Sequence, residues 1–271
     1  MPGSSAQQIA LVISDIDGTL ITSNHEVTEA SRAAAARLRE RGIALSLASS
    51  RPPRSIQPIA AELGLQSPFA AFNGALLINS AGQVTARSSL RPELTEYISA
   101  IAAGLGINVW IYDETDWYAP VRDAFVEREE HTAGFAANLA GYEQARRSNA
   151  TKLTVVGKPE RVAEAASQVS QELAREVSAS RSKPRFLDVT GFGMHKGSVV
   201  TRLAGAYGVD PAQVAVIGDG PNDIEMFQQA GLSIAMGQAV DEVRAAASVA
   251  TTSNDDEGWA RGIDKYVLGI S

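Results

Sequence analysis

Both ends of this chain alternate short, Ile- and Val-rich apolar runs with helix-patterned stretches, and that alternation limits the possible fold more than any other feature. Ile9 to Ser14 reads as a buried strand. Thr28 to Arg41 is Ala-rich, opens on an N-cap Thr and closes at Gly42, so it reads as a helix. Ile43 to Ala48 is the next strand. A helix from about Ser55 to Leu63 leads to a third apolar run, Phe69 to Phe72, which ends at Asn73-Gly74. From Lys196 the rhythm returns, with a helix to Tyr207, a strand Val214 to Ile217 and a helix from near Asn222. A strand Leu232 to Ala235 and a closing helix over about Glu257 to Leu268 complete it. Strand alternating with helix is the signature of a parallel sheet covered on both faces.

The middle third breaks this rhythm. Leu76 to Ile78 and Val84 flank Ser80-Ala81-Gly82 as the arms of a hairpin would. The pattern then predicts a helix from about Pro92 to Leu105 and strands at Asn108 to Asp113, Trp117-Tyr118 and Thr151 to Val156. A long helix opened by proline follows from Pro159 to Val177, and a last strand at Phe186 to Val189. Trp110 and Trp117 give this block aromatic content for a core of its own. The expected class is therefore α/β. Residues 1–81 and 189–271 build a Rossmann-like, doubly wound parallel sheet, and residues 82–188 form an inserted α/β cap domain.

Composition narrows the function. Apolar residues make up 45% and charged residues 20%, enough for an ordinary core. A net charge of −7 argues against a nucleic acid polymer as partner, because phosphate backbones are held by clustered Lys and Arg. Any anionic substrate would need locally supplied positive charge, as from a metal ion. The chain has no cysteine, which excludes disulfides, thiolate zinc sites and cysteine nucleophiles. No apolar segment approaches the roughly 20 residues that span a bilayer. Met1 to Gln8 lacks the basic start and apolar run of a signal peptide, so the expectation is a cytoplasmic protein without a membrane partner.

Open α/β sheets bind ligands at the carboxyl ends of their strands, and here those ends carry reactive groups. The first strand runs into Asp15 and Asp17, the second into Ser49 and a later one into Asp219, with Asp223 four residues on. Lys196 opens a helix. Carboxylates gathered this closely repel one another, so some protonate or a cation enters. An all-oxygen site without His or Cys suits Mg2+. Asp15 facing a substrate would leave Asp17 within reach of the leaving oxygen. A carboxylate nucleophile divides phosphate ester hydrolysis into two steps through an acyl phosphate. Ser49 and Lys196 would hold the phosphoryl oxygens.

Asp15-Ile16-Asp17-Gly18-Thr19-Leu20 resembles the first motif of haloacid dehalogenase-type phosphatases. Ser49 resembles their second motif, Lys196 their third and Gly218-Asp219-Gly220-Pro221-Asn222-Asp223 their fourth, in the same order along the whole chain. The insertion between the second and third motifs, with Asn73-Gly74-Ala75 before it, is similar to that of the Cof-type subfamily, whose members carry an α/β cap. The resemblance implies Asp15 as nucleophile and Asp17 as general acid and base. It implies a magnesium site from Asp15, Asp17 (through its main-chain carbonyl), Asp219 and Asp223, with Asp223 either direct or through water. Phosphate contacts would come from Ser49, Lys196, Asn222 and Gly18, and the substrate would be a small phosphorylated metabolite: a sugar phosphate, a nucleotide or pyridoxal phosphate. One departure is Ser50, which stands where Cof-type proteins usually carry glycine.

Taken singly, each feature has a plainer reading. Asp-x-Asp-Gly also makes turns and calcium loops, a serine after a strand caps helices, and a lysine usually sits in solvent. Their shared order gives them weight. Two alternatives remain open at this point: a phosphomutase of the same superfamily, and a non-catalytic protein that binds a phosphate ligand. A receiver domain, which also uses a phosphorylated Asp near magnesium, is a single compact domain whose phosphorylated Asp follows a later strand.

Overall fold

The computed structural model describes residues 8–66 and 68–270. Contacts gather the chain into two compact units. One comprises Met1–Ser49, Ile59–Phe69 and Lys196–Ser271, the other Ser50–Pro58 and Ala70–His195.

The first unit is built on a five-stranded sheet in the order Val249–Ala250, Leu232–Ala235, Val214–Gly218, Leu11–Ser14, Ala44–Leu47. Every neighbouring pair is parallel. Its central strands read as continuous apolar runs because both faces are covered. Leu11, Val12, Ile13, Val214, Ala215, Val216 and Ile217 are all fully buried. At about 1.5–3 kcal/mol for each large aliphatic side chain, they fix the register that the site depends on. The helix Glu29–Glu40 starts where the sequence led one to expect, with the Thr28 side chain accepting from the Ser31 amide. It packs on the segment that follows Gly258, and Arg37 clasps Asp264 through two bonds of 2.9 and 2.7 Å. Lys196–Tyr207 packs on Ile224–Phe227. The closing helix is divided: Gly258–Gly262 is α-helical and Ile263–Leu268 continues as a wider π turn. The doubly wound α/β class expected from the pattern is what the chain adopts.

The second unit holds an antiparallel five-stranded sheet in the order Trp117–Tyr118, Asn108–Tyr112, Lys152–Val156, Phe186–Gly191, Val177–Lys183. The helices Pro92–Gly104 and Pro159–Glu172 bring Leu94, Ile98, Val162, Ala165 and Val169 into one core with Val109, Ile111, Leu153, Val155, Leu187 and Val189. Period-two alternation turns Trp110, Tyr112, Lys152, Thr154 and Asp188 away from that core. Leu76–Ile78 and Val84–Arg87 form the expected hairpin, within a small three-stranded sheet that also includes Phe69–Ala71. The long helix expected to run from Pro159 to Val177 stops at Glu172, and Val177 opens a strand instead. Leu173 and Val177 keep the spacing of the buried stripe Val162, Ala165, Val169, which is why the pattern runs on. The chain instead turns at Leu173, whose carbonyl accepts from Glu176 N and Val177 N, and Val177 pairs with Gly191. Among the described residues, no helix is long and apolar enough to cross a membrane.

Candidate active site

The chain passes from Leu11–Ser14 outward to Ala44–Leu47 on one side and later returns to Val214–Gly218 on the other. The order of strands therefore reverses between the first strand and Val214–Gly218, and a crevice forms at such a switch point. Ser14 pairs with Ile217 in the parallel register, so the residues that follow each strand emerge side by side. Those residues are Asp15 and Asp219.

Asp15 is 6% exposed, and its amide donates to Ile217 O at 3.0 Å, extending the ladder by one bond. Ser14 Oγ donates to the Asp15 carbonyl at 2.6 Å and is itself held by Trp259 Nε1 at 2.8 Å. Beyond Asp15 the chain coils tightly, with the amides of Thr19, Leu20 and Ile21 all directed at Ile16 O. Asp17 lies half-buried in this coil, bridged to Ile21. Gly18 takes φ +75°, and a Cβ there would lie 2.4 Å from Asp219 Oδ2. Only glycine lets the main chain pass that carboxylate.

Asp219 accepts from Thr19 Oγ at 2.9 Å. Asp223, fully buried in the turn Pro221–Asp223, accepts on Oδ2 from the amides of Asp219 and Gly220, at 3.0 and 2.9 Å. Its Oδ1 accepts from Lys196 Nζ at 2.6 Å. Lys196, 3% exposed at the start of its helix, also reaches Asp15 Oδ1 at 2.7 Å. Carboxylate oxygens of Asp15, Asp219 and Asp223 lie within 4.8 Å of one another. The structure thus brings together Asp15, Lys196, Asp219, Asp223 and Gly18. Ser49 is buried just past the end of the neighbouring strand, where Ala48 N donates to Ser14 O at 2.9 Å. Asn222 is half-buried, and its side-chain oxygen folds back on Gly220.

Burial pushes Asp15 well above the ordinary carboxylate range. Lys196 works against that rise, while Asp223 and Asp219 add to it. Burial also drives Asp219 up to about 6, helped by the Asp223 charge and opposed by the Thr19 hydroxyl and Lys196. Burial disfavours the Lys196 ammonium, yet the charges of Asp15 and Asp223 outweigh it and raise its pKa. Three carboxylates face a single ammonium here. The donor set fits a hard divalent cation: its oxygens converge, no soft ligand intervenes, and the like charges that raise Asp15 and Asp219 are what such an ion would relieve.

Three supporting residues were not singled out from sequence. Thr19 stands inside the first motif, and its position straight after Gly18 was an available signal. Trp259 and Gln238, whose Nε2 donates to Gly18 O, come from distant segments and carry no local signal.

A doubly wound α/β unit with buried carboxylates and a lysine at its switch point is the kind of site that can hold an anion beside a cation. A profile of the haloacid dehalogenase-like hydrolases matches residues 12–263, and the chain belongs to that family, as its motifs led one to expect. It is 29% identical to YxeH of Bacillus subtilis (strain 168), which carries a provisional phosphatase name, over 95% of this chain and 98% of that protein. It is 26% identical to the HMP-PP phosphatase of Serratia proteamaculans (strain 568), over 85% of this chain and 84% of that protein. A crystal structure of a haloacid dehalogenase-like hydrolase from Bacteroides thetaiotaomicron superposes with a TM-score of 0.85 at 28% identity, covering 95% of this chain and 99% of that one. The chain is an enzyme of the phosphatase type.

Proposed function

We propose that this protein is a magnesium-dependent phosphatase of small phosphomonoesters that works through a phospho-aspartate at Asp15. The observation that carries the reading is the buried Asp15 carboxylate at the switch point, 2.7 Å from Lys196 and grouped with Asp219 and Asp223. In the first step an Asp15 oxygen attacks phosphorus, the bond to the ester oxygen breaks, and Asp17 gives that oxygen a proton. In the second step Asp17 takes a proton from water, whose oxygen attacks the same phosphorus. The bond to Asp15 then breaks, releasing orthophosphate and restoring both carboxyl groups. General acid and base help of this kind is worth roughly 10²–10⁴-fold. Lys196, Ser49, Asn222 and the main chain at Gly18 would hold the phosphoryl oxygens. Asp15, Asp219, Asp223 and the main-chain carbonyl of Asp17 would hold magnesium. When bound, magnesium would supply positive charge against the phosphoryl oxygens.

The segment 82–188, with its own sheet and core, is proposed as the cap that selects the substrate. Sugar phosphates, nucleotides and pyridoxal phosphate are the esters to try. The test is phosphate release from a panel of such esters, with magnesium and with EDTA, beside Asp15→Asn and Asp17→Asn. Magnesium-dependent turnover lost in both variants is expected. Turnover that survives Asp15→Asn would sink the phospho-aspartate route.

A further inference from the structure

The second unit buries a charged group that the proposed chemistry does not use. Lys152 and Asp188, 5% and 4% exposed, are diagonal neighbours on adjacent strands, Asp188 standing opposite Thr154 and Lys152 opposite Thr190, with Nζ 3.1 Å from Oδ1. Thr154 Oγ donates to the same Asp188 oxygen at 2.8 Å. The Lys152 ammonium makes a second hydrogen bond of 3.0 Å, to the main-chain carbonyl of Ser50, which belongs to the same unit. Its remaining side lies against aromatic rings, 4.5 Å from the centroid of Tyr112 and 5.5 Å from that of Phe72. All three N–H directions therefore have a partner: a carboxylate, a carbonyl and a π face.

Stability alone does not account for this arrangement. A buried ion pair is often matched or exceeded by apolar residues of the same volume, and this face of the sheet already carries Trp110, Trp117 and Tyr112. What an apolar pair would lack is a donor aimed at Ser50 O. Ser50 directly follows Ser49, the serine assigned to the phosphate. The residue before Ser49 is tied by Ala48 N to Ser14 O at 2.9 Å, so Ser49 stands between two main-chain anchors. Ser50 needs no glycine backbone, since positive φ among the described non-glycine residues is confined to His25, Phe72, Asn73 and Glu257. Fixing its carbonyl sets the path of the loop just before Arg51, whose own carbonyl accepts from Phe72 N at 3.2 Å.

We propose that Lys152, held by Asp188 and Thr154, is a positioning residue that fixes the Ser50 carbonyl and so orients Ser49 toward phosphate. The inference rests on the phosphatase reading, in which Ser49 binds a phosphoryl oxygen.

The test measures orthophosphate affinity, by its inhibition of ester hydrolysis and by calorimetry, together with thermal melting. Lys152→Met with Asp188→Asn removes the donor without leaving a buried charge unpaired. Lys152→Gln with Asp188→Asn returns an N–H donor without the charge, and Ser49→Ala runs alongside. Loss of a hydrogen bond to a charged donor predicts about 10-fold weaker orthophosphate binding and a raised KM in the Met double variant. The Gln double variant should recover part of that loss while melting at a similar temperature. Wild-type orthophosphate affinity in the folded Met double variant, with only the melting temperature lowered, would overturn the proposal and leave Lys152 a structural residue. If Ser49→Ala also binds orthophosphate like wild type, it is the Ser49 assignment that has failed.

Discussion

Replacing Lys196 with methionine keeps most of the side-chain volume and removes the ammonium that faces Asp15 and Asp223 at 2.7 and 2.6 Å. Both carboxylates stay buried, so the change breaks a desolvated ion pair instead of a surface one. Losing one partner of such a pair costs about 3–5 kcal/mol. At about 2–4 °C per kcal/mol, the unit that holds the site should melt roughly 6–20 °C lower in EDTA. The deficit should also depend on pH, and its sign can be worked out. Asp15 is already raised by burial, and Lys196 is what holds it down, so the variant raises it further. A carboxyl whose folded pKa exceeds its unfolded value binds its proton more tightly when folded. Wild type and variant share one unfolded state, so the deficit is full above the variant's folded pKa and fades as pH falls through the wild-type folded pKa, itself above the usual carboxylate range. Melts in EDTA at about pH 8 and about pH 5.5 should show the larger deficit at the higher pH. Equal deficits at both, or a loss below about 1 kcal/mol, would refute the view of Lys196 as the counter-ion of a buried acidic pair.

Gly18→Ala places an L-residue at φ +75° and its Cβ 2.4 Å from Asp219 Oδ2; a loss of about 1–2 kcal/mol from the backbone alone is expected, with Asp219 displaced and turnover at least about 10-fold lower, so wild-type kcat/KM would contradict the close-packing account. Thr28→Ala removes the side chain that caps Glu29–Glu40 through the Ser31 amide at 3.1 Å; it should cost about 1 kcal/mol, seen as a small fall in Tm, and an unchanged Tm would mean the cap contributes nothing. Magnesium at a hundred times its Kd should raise stability by about 2.7 kcal/mol in wild type. Asp219→Asn should blunt that response, and an undiminished response would remove Asp219 from the metal site.

The sequence was most legible where burial and chemistry coincide. Leu11–Ser14 and Val214–Gly218 are apolar on both faces, so their runs stand out and their ends mark where Asp15 and Asp219 emerge. The antiparallel edge was harder. Val177–Lys183 (VSASRSK) pairs on one side only, and its alternation stops after Val177 and Ala179, too short a run to flag a half-buried strand. The helix Ala124–Ala133 carries its end signals, an Asp123 N-cap and Gly134 in the left-handed region. Its buried face is little more than Val126 and Ala133, too narrow a stripe to be read. Val249–Ala250 is two residues long, below any pattern's reach. In the site, the residues that could be read are those bearing charge. Trp259 and Gln238 act through contacts to Ser14 and Gly18 across more than 200 positions, which only the folded register brings together.

That register also explains why so costly a cluster can exist. Adjacent parallel strands must start their following loops side by side, and two acids placed there are held together by a ladder of buried main-chain bonds that repulsion does not break. Asp223 is tied separately, by the amides of Asp219 and Gly220, so its charge cannot turn away from the others. Counting Asp15, Asp219, Asp223 and Lys196 alone, with all four ionised, the cluster carries a net charge of −2. Protons relieve part of that excess: burial, helped by the Asp223 charge, raises Asp219 to about 6. A divalent cation relieves it in full, and a monovalent one leaves a charge behind. Among chloride salts matched for ionic strength, stabilisation should therefore follow the valence of the cation, and equal stabilisation by sodium would mean that the cluster is balanced in some other way.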